Sequence, residues 1–298
     1  MYVVLGASGN TGSVVASNLL GRGHKVRVVG RSADRLKGLA AQGAEIAVAD
    51  LADAPALTRA FKGADSAYVL IPPDPTSHDF RAYQDRVSNA IVAALENAGI
   101  KKVVALSSVG ADKSSGTGPI VGLFNFEQKL NQIDGVNVLH LRAGYFMENT
   151  LPQVRVIRTM GNVAGPIRPD LKLPMIATQD IGNAAADALR AGIRGKGTRE
   201  LQGQRDIDYV EVASIIGKAI DKPSLKYVHA PDDQLRAAFV QMGMSANFAG
   251  LILEMAGALN SGHIKMLEPR SAANTQPTSY DKFVQEEFAP AYKQQMAA

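Results

Sequence analysis

Apolar residues in this chain alternate between two rhythms. Short unbroken runs at 2–5, 25–29, 45–49, 66–71, 102–106 and 136–141 have the length and β-branched content of strands buried on both faces. Between them the apolar positions recur at helical spacing. Val14, Val15, Leu19 and Leu20 follow the first run, Val87, Ile91, Val92 and Leu95 lie in a long helix over about 78–98, and a further helix is expected over about 120–133. Strand, helix, strand in this order predicts a mostly parallel sheet with helices on both faces, an α/β fold.

After Asn149 the rhythm loosens. A helix over 151–160 is followed by turns at Gly165-Pro166 and Arg168-Pro169, then a return through 173–177, an alanine-rich helix begun by Asp180 and a strand around 198–203. Helices are expected again over 208–220, 232–242, 246–259 and 280–292, with a short strand at 226–229. The expected organisation is a sheet-bearing unit of residues 1–149 completed by about 173–205, and a smaller discontinuous lobe of 150–172 and 206–298.

The stretch joining the first strand to the first helix is Gly6-Ala7-Ser8-Gly9-Asn10-Thr11-Gly12. Gly6 permits a sharp turn, Gly9 lets a pyrophosphate approach the backbone, and Gly12 lets helix and strand pack closely. The helix N-terminus beyond them offers N–H groups to an anion. The second strand ends in Gly30-Arg31-Ser32, with a cation where NAD-specific sites place an acid. Arg31, with Arg35 one turn later, therefore points to NADP(H). Pro72-Pro73 terminates the fourth strand, and Ile71 and Pro72 stand where the nicotinamide ribose would pass. Ala111 to Pro119, rich in Gly, Ser, Thr and Lys, reads as a mobile loop over the site.

Composition narrows the classes further. The 298 residues are 46% hydrophobic and carry a net charge of +4, with basic residues scattered rather than clustered, so no nucleic-acid footprint is expected. There is no Cys, which removes disulfides, thiolate catalysis and Cys-ligated metals. None of the five His has a metal-ligand partner at short spacing, so no metal is expected. No apolar run approaches the ~20 residues that span a bilayer, and Met1 leads straight into the first strand, so a cytoplasmic location is expected.

The spacing Gly6-x-x-Gly9-x-x-Gly12, and the wording of that loop, resemble the NmrA-like branch of the atypical short-chain dehydrogenases/reductases. The segment Arg142-Ala-Gly144-Tyr145-Phe146-Met-Glu148-Asn149 resembles that branch's signature after strand six, which runs beside the nicotinamide. The resemblance implies a Rossmann-type doubly wound sheet, NADP(H), and Asp50-Leu51 bordering the adenine, with Asp50 accepting from its amine and Leu51 covering the ring. It also implies that Ser107, of Ser107-Ser108, can orient a substrate carbonyl. Classical members place a Tyr four residues before a Lys on the fifth helix, as proton donor and ribose-holding cation. This chain has Lys129, but Asn125 stands where the Tyr would be. Lys129 is then either the ribose contact or a surface lysine.

These observations name Lys129, Asn125, Ser107 and Tyr145 as candidate catalytic residues. The implied activity is hydride transfer from NADPH to a small-molecule electron acceptor, a quinone or similar electrophile. The alternative is a non-catalytic NADP(H) sensor acting through a protein partner. A sugar-nucleotide epimerase is disfavoured by the missing Tyr. Whether copies associate is left open. The methionines Met242, Met244 and Met255 are either plain core or an adaptable pocket for a flat ligand.

Overall fold

A computed structural model describes residues 1–294. Strands form at the apolar runs: β1 (Tyr2–Leu5), β2 (Val26–Gly30), β3 (Glu45–Val48), β4 (Ser66–Val69), β5 (Lys102–Ser108) and β6 (Asn137–Ala143). β7 (Val163–Gly165) lies apart, and β8 (Lys196–Leu201) returns to the main sheet, whose order is β3-β2-β1-β4-β5-β6-β8. All its pairings are parallel; Val4, for example, sits between Val28 and Tyr68. β7 pairs with β9 (Tyr227–His229) in a second, two-stranded parallel sheet.

The helices of the main unit start and stop where local chemistry dictates. α1 (Asn10–Gly21) leaves the glycine loop, and the short α2 (Lys37–Ala40) follows β2. α3 (Ala54–Phe61) is capped by Asp53, which accepts from the Ala56 N–H at 3.0 Å, and has a proline in its first turn. α4 (Phe80–Ala98) is capped by Asp79 and closed by Gly99 in the left-handed conformation. α5 (Ile120–Gln132) precedes β6, and α6 (Gln153–Met160) opens the smaller lobe. α7 (Thr178–Ala191) then runs back under the sheet.

Two cores flank the sheet. Leu57, Phe61, Ile91, Leu95, Phe126 and Leu130 pack α3, α4 and α5 on one face. Val15, Leu19, Leu36, Ile181 and Leu189 pack α1 and α7 on the other. A third core belongs to the smaller lobe, where α8 (Tyr209–Ala219), α11 (Tyr280–Phe283) and α12 (Ala289–Gln294) gather around Val212, Ile216, Phe283 and Phe288. Between them in sequence come α9 (Asp232–Gln241) and α10 (Ala246–Asn260), and α10 packs on the main unit at Ala111, Ile120 and Phe80. No described helix is long and apolar enough to cross a membrane.

The strand order reverses between β1 and β4. In an open parallel sheet that reversal leaves a crevice beyond the carboxyl ends of the two strands. The glycine loop leaves β1 there, and Pro72 follows β4. The topology thus sets where the site lies.

Candidate functional site

The glycine loop divides its labour unequally. Gly6 has φ +61° and takes the sharp turn, closed by the Gly9 N–H donating to its carbonyl at 2.9 Å. A Cβ on Gly12 would overlap that same Gly6 carbonyl oxygen, so Gly12 serves the contact of helix and strand. Gly9 is different: it is exposed, its backbone is extended, and the one neighbour a Cβ would meet is the Gly6 oxygen at 3.3 Å. No side chain caps the α1 N-terminus, so the first turn keeps its donors for an anion. Ala7 is buried, with its N–H on the Val29 carbonyl at 3.2 Å, while Ser8 and Asn10 are accessible. The Thr11 side chain turns inward, where its hydroxyl accepts from Tyr68 at 2.9 Å; any contact it makes with a ligand is through its backbone.

Arg35 reaches back to this loop and donates to the Ser8 carbonyl at 3.3 Å. Arg31 is exposed and makes no hydrogen bond or ion pair among the described residues. The charges of Arg31, Asp50, Asp74 and Arg86 act on the Tyr83 hydroxyl, secondary there to its burial. Burial is the main cause that pushes Tyr83 up to about 12, and its hydroxyl donates to the Pro72 carbonyl at 3.0 Å. Tyr83 was not legible as a site residue, because in sequence it is only one more aromatic on an amphipathic helix. Asp50 accepts from the Ala52 N–H at 2.8 Å with one oxygen and stays exposed. Leu51 is buried among Leu57, Phe61 and their neighbours, where the chain turns inward to begin α3. We expect Arg31→Ala to weaken NADPH binding about tenfold or more, the equivalent of a charge-assisted bond of roughly 1.5 to 3 kcal/mol. NADH binding should be unchanged; equal losses for both cofactors in calorimetry would remove Arg31 from the 2′-phosphate.

Over the carboxyl ends of β4 and β5 the chain is roofed by α10. The Ser245 N–H donates to Pro75, its hydroxyl donates to Ser77 at 2.6 Å, and Asn247 accepts from the Phe80 N–H at 3.0 Å. Phe248 packs edge-on against Phe80 at 4.8 Å. Ile71 packs on the α3–α4 core. The 111–119 segment carries no helix or strand and is pinned at its end: Thr117 and Gly118 are buried, a Cβ on Gly118 would overlap the Leu251 carbonyl, and His263 bonds Ser115 at 3.2 Å, while 114–116 are exposed. Met255 and Met244 are spent in the contacts of α10 with the main unit, while Met242 is 39% exposed.

Two candidate catalytic residues are held by other side chains. The Ser107 hydroxyl donates to Glu127 at 2.5 Å, and Glu127 is held by Arg142 through bonds of 3.0 and 2.6 Å. Ser107 is therefore part of a buried ionic cluster, with its proton committed. The Lys129 ammonium donates to Asp85 at 3.0 Å and to Ser88 at 2.8 Å, which ties α5 to α4. Glu127 thus faces β6 while Lys129, two residues on, faces α4. Asn125, one turn earlier on the same stripe, is half-buried.

The strand-six signature is anchored by the smaller lobe. Gly144 is buried with its N–H on Leu201 at 2.8 Å, and Phe146 bridges to Ile176. The Tyr145 hydroxyl meets that of Tyr209 at 3.1 Å, with the rings edge to face, and Tyr209 stacks on Tyr227 at 4.8 Å. Burial pushes the phenols of both Tyr145 and Tyr209 up, and hydrogen bonds with Tyr209 and Asn149 offset part of it at Tyr145. Tyr209 could not have been singled out from sequence, since it stands in the first turn of a remote helix.

Comparison with known proteins agrees with this architecture. The profile of the NmrA-like family matches residues 2–286. A (4-alkanoyl-5-oxo-2,5-dihydrofuran-3-yl)methyl phosphate reductase from Streptomyces griseus is 27% identical over 80% of this chain and 80% of its own. An NADPH-dependent quinone oxidoreductase from Escherichia coli, solved with NADPH, superposes with a TM-score of 0.79 at 24% identity, covering 97% of this chain and 100% of that one. A triphenylmethane reductase from Citrobacter sp., solved with NADP(H), gives 0.78 at 18% identity over 99% of both chains. With its profile matched almost end to end on a seven-stranded parallel sheet, the chain belongs to the NmrA-like family.

Proposed function

We propose that this protein is an NADPH-dependent oxidoreductase that delivers hydride to a quinone or a similarly conjugated small electrophile. The cofactor fits the residues present. Gly9 and the uncapped first turn of α1 leave room and donors for the pyrophosphate, and Arg31 is a free cation for the 2′-phosphate. When bound, NADPH supplies the hydride. What the chain supplies is binding, orientation and the exclusion of water beneath α10.

The observation that carries the choice of acceptor is the commitment of Lys129 to Asp85 and Ser88. Asn125 offers no acidic proton, the Ser107 hydroxyl donates its hydrogen bond to Glu127, and the Tyr145 phenol is pushed up by burial. None of these candidates is an acid activated by a cation. Ketone reduction develops alkoxide charge that must be protonated, and a general acid is worth about 10² to 10⁴ in rate. Hydride addition to a quinone leaves a delocalised anion that water protonates afterwards. The names of the relatives point the same way: a quinone, a triphenylmethane dye and a dihydrofuranone are conjugated acceptors.

The test is a stopped-flow screen of NADPH oxidation against simple quinones, with secondary alcohols and ketones as controls. Turnover of quinones and neglect of the controls are expected. Silence across the panel with intact NADPH binding would overturn the reductase reading in favour of a sensor. Lys129→Met should keep kcat/KM within about threefold, since a residue off the reaction path contributes little. A loss of about 10² or more, the scale of a general acid–base role, would return Lys129 to the site.

A further inference from the structure

At the far end of the sheet, where β6 and β8 begin, a groove of about 320 Å³ opens beneath the last turn of α7. It lies at the amino ends of the strands, opposite the glycine loop. Its apolar lining comes from Leu139, Ala188, Ala191 and Ile193. Two arginines, Arg194 and Arg199, border it. Neither has a hydrogen bond or ion pair among the described residues, and both are exposed. The acid at the groove, Asp187, is already neutralised by Arg190 at 2.9 Å. The groove therefore carries two uncompensated positive charges over an apolar floor.

A second observation concerns Gly197, in the middle of the part of β8 that forms the groove. Its φ is not left-handed, and a Cβ there would meet nothing within 4 Å. Nothing in the chain's own packing asks for glycine at a strand position where it weakens the sheet. The consequence of its missing side chain is that the groove stays open. Arg199, two residues on and on the same face of the strand, places its guanidinium beside that opening.

We infer that this groove is a binding site for a small amphiphilic anion, a short apolar chain carrying a carboxylate or an equivalent head group. The floor receives the chain, and the planar guanidiniums of Arg194 and Arg199 take the oxygens by charge-assisted hydrogen bonds. The volume lies at the lower end of the roughly 300–1,000 Å³ usual for ligand pockets, which suits a molecule of this size. A cation is refused by the two arginines, and a longer polar chain gains nothing from the floor.

The experiment is calorimetric titration of the full chain with octanoate, with octylamine and butanoate as controls. Saturable one-to-one binding of octanoate alone is expected. Arg194→Ala with Arg199→Ala should raise the Kd by about tenfold or more, as loss of a charge-assisted contact does. Gly197→Val should abolish binding while leaving NADPH affinity unchanged and the melting temperature no lower than that of the parent. The inference is overturned if octanoate does not bind, if octylamine binds as well as octanoate, or if both variants keep the wild-type Kd. A monomer–dimer equilibrium broken by Gly197→Val, with no octanoate binding, would assign the groove to a second copy and equally overturn it.

Discussion

Gly9→Val should bind neither NADPH nor NADH yet fold and melt like the parent, whereas Gly12→Val should lose the fold itself. The two glycines are three residues apart in one loop, and the structure separates their duties. At Gly9 the space a side chain would enter is bounded by a single backbone oxygen at 3.3 Å, and the residue is exposed. A branched side chain there stands where a pyrophosphate must approach the α1 N-terminus, and the loss should exceed about 100-fold, some 2.7 kcal/mol or more. At Gly12 the obstacle is the Gly6 carbonyl, part of the main chain and unable to rotate away. Overpacking against side chains costs typically 1–3 kcal/mol, and against fixed backbone it should cost more. Calorimetry and circular dichroism on both variants decide it. Native dichroism with undiminished NADPH binding in Gly9→Val would reduce the loop to an ordinary turn.

The order of strands and helices up to Asn149 was legible because both rhythms are local. An apolar run and a helical stripe are properties of neighbours in sequence, and β1 to β6 begin and end within about two residues of the expected positions. The side chains of α5 were not legible for the opposite reason. Spacing says that positions 125 and 129 share a stripe, but not which way that stripe faces. The roll of α5 is set by a pairing between Glu127 on the helix and Arg142 on the following strand. The contacts of 111–119 were not legible either, because the packing of Gly118 on α10 depends on residues more than a hundred positions away. Gly6 and Gly12 were readable because the turn of one and the helix contact of the other are properties of the local backbone.

The ionic cluster that fixes α5 leads to the other large effect. Glu127 is 3% and Arg142 12% exposed at their side chains, and Glu127 accepts from Ser107 as well as from two nitrogens of Arg142. Arg142 donates further to the Ala111 carbonyl at 3.3 Å, so the pair joins α5, β5, β6 and the segment beneath α10. Removing one partner leaves the other charge buried and unpaired, which costs about 3–5 kcal/mol. Glu127→Ala and Arg142→Ala should each lower stability by that amount in urea unfolding. Replacing both with apolar residues, as in Glu127→Leu with Arg142→Met, should recover most of the loss, because the desolvation penalty of both ions disappears together. Ser107 then lacks its acceptor, and adding Ser107→Ala should recover the remainder, about 1–3 kcal/mol for a buried unsatisfied group. If the cluster sets only the roll of α5, NADPH binding should survive in the apolar triple variant, since the glycine loop and Arg31 lie on the other side of β4. Single variants that lose less than about 1 kcal/mol, the scale of an exposed ion pair, would show that water reaches the pair. A triple variant that folds but no longer binds NADPH would place the cluster in the cofactor site after all.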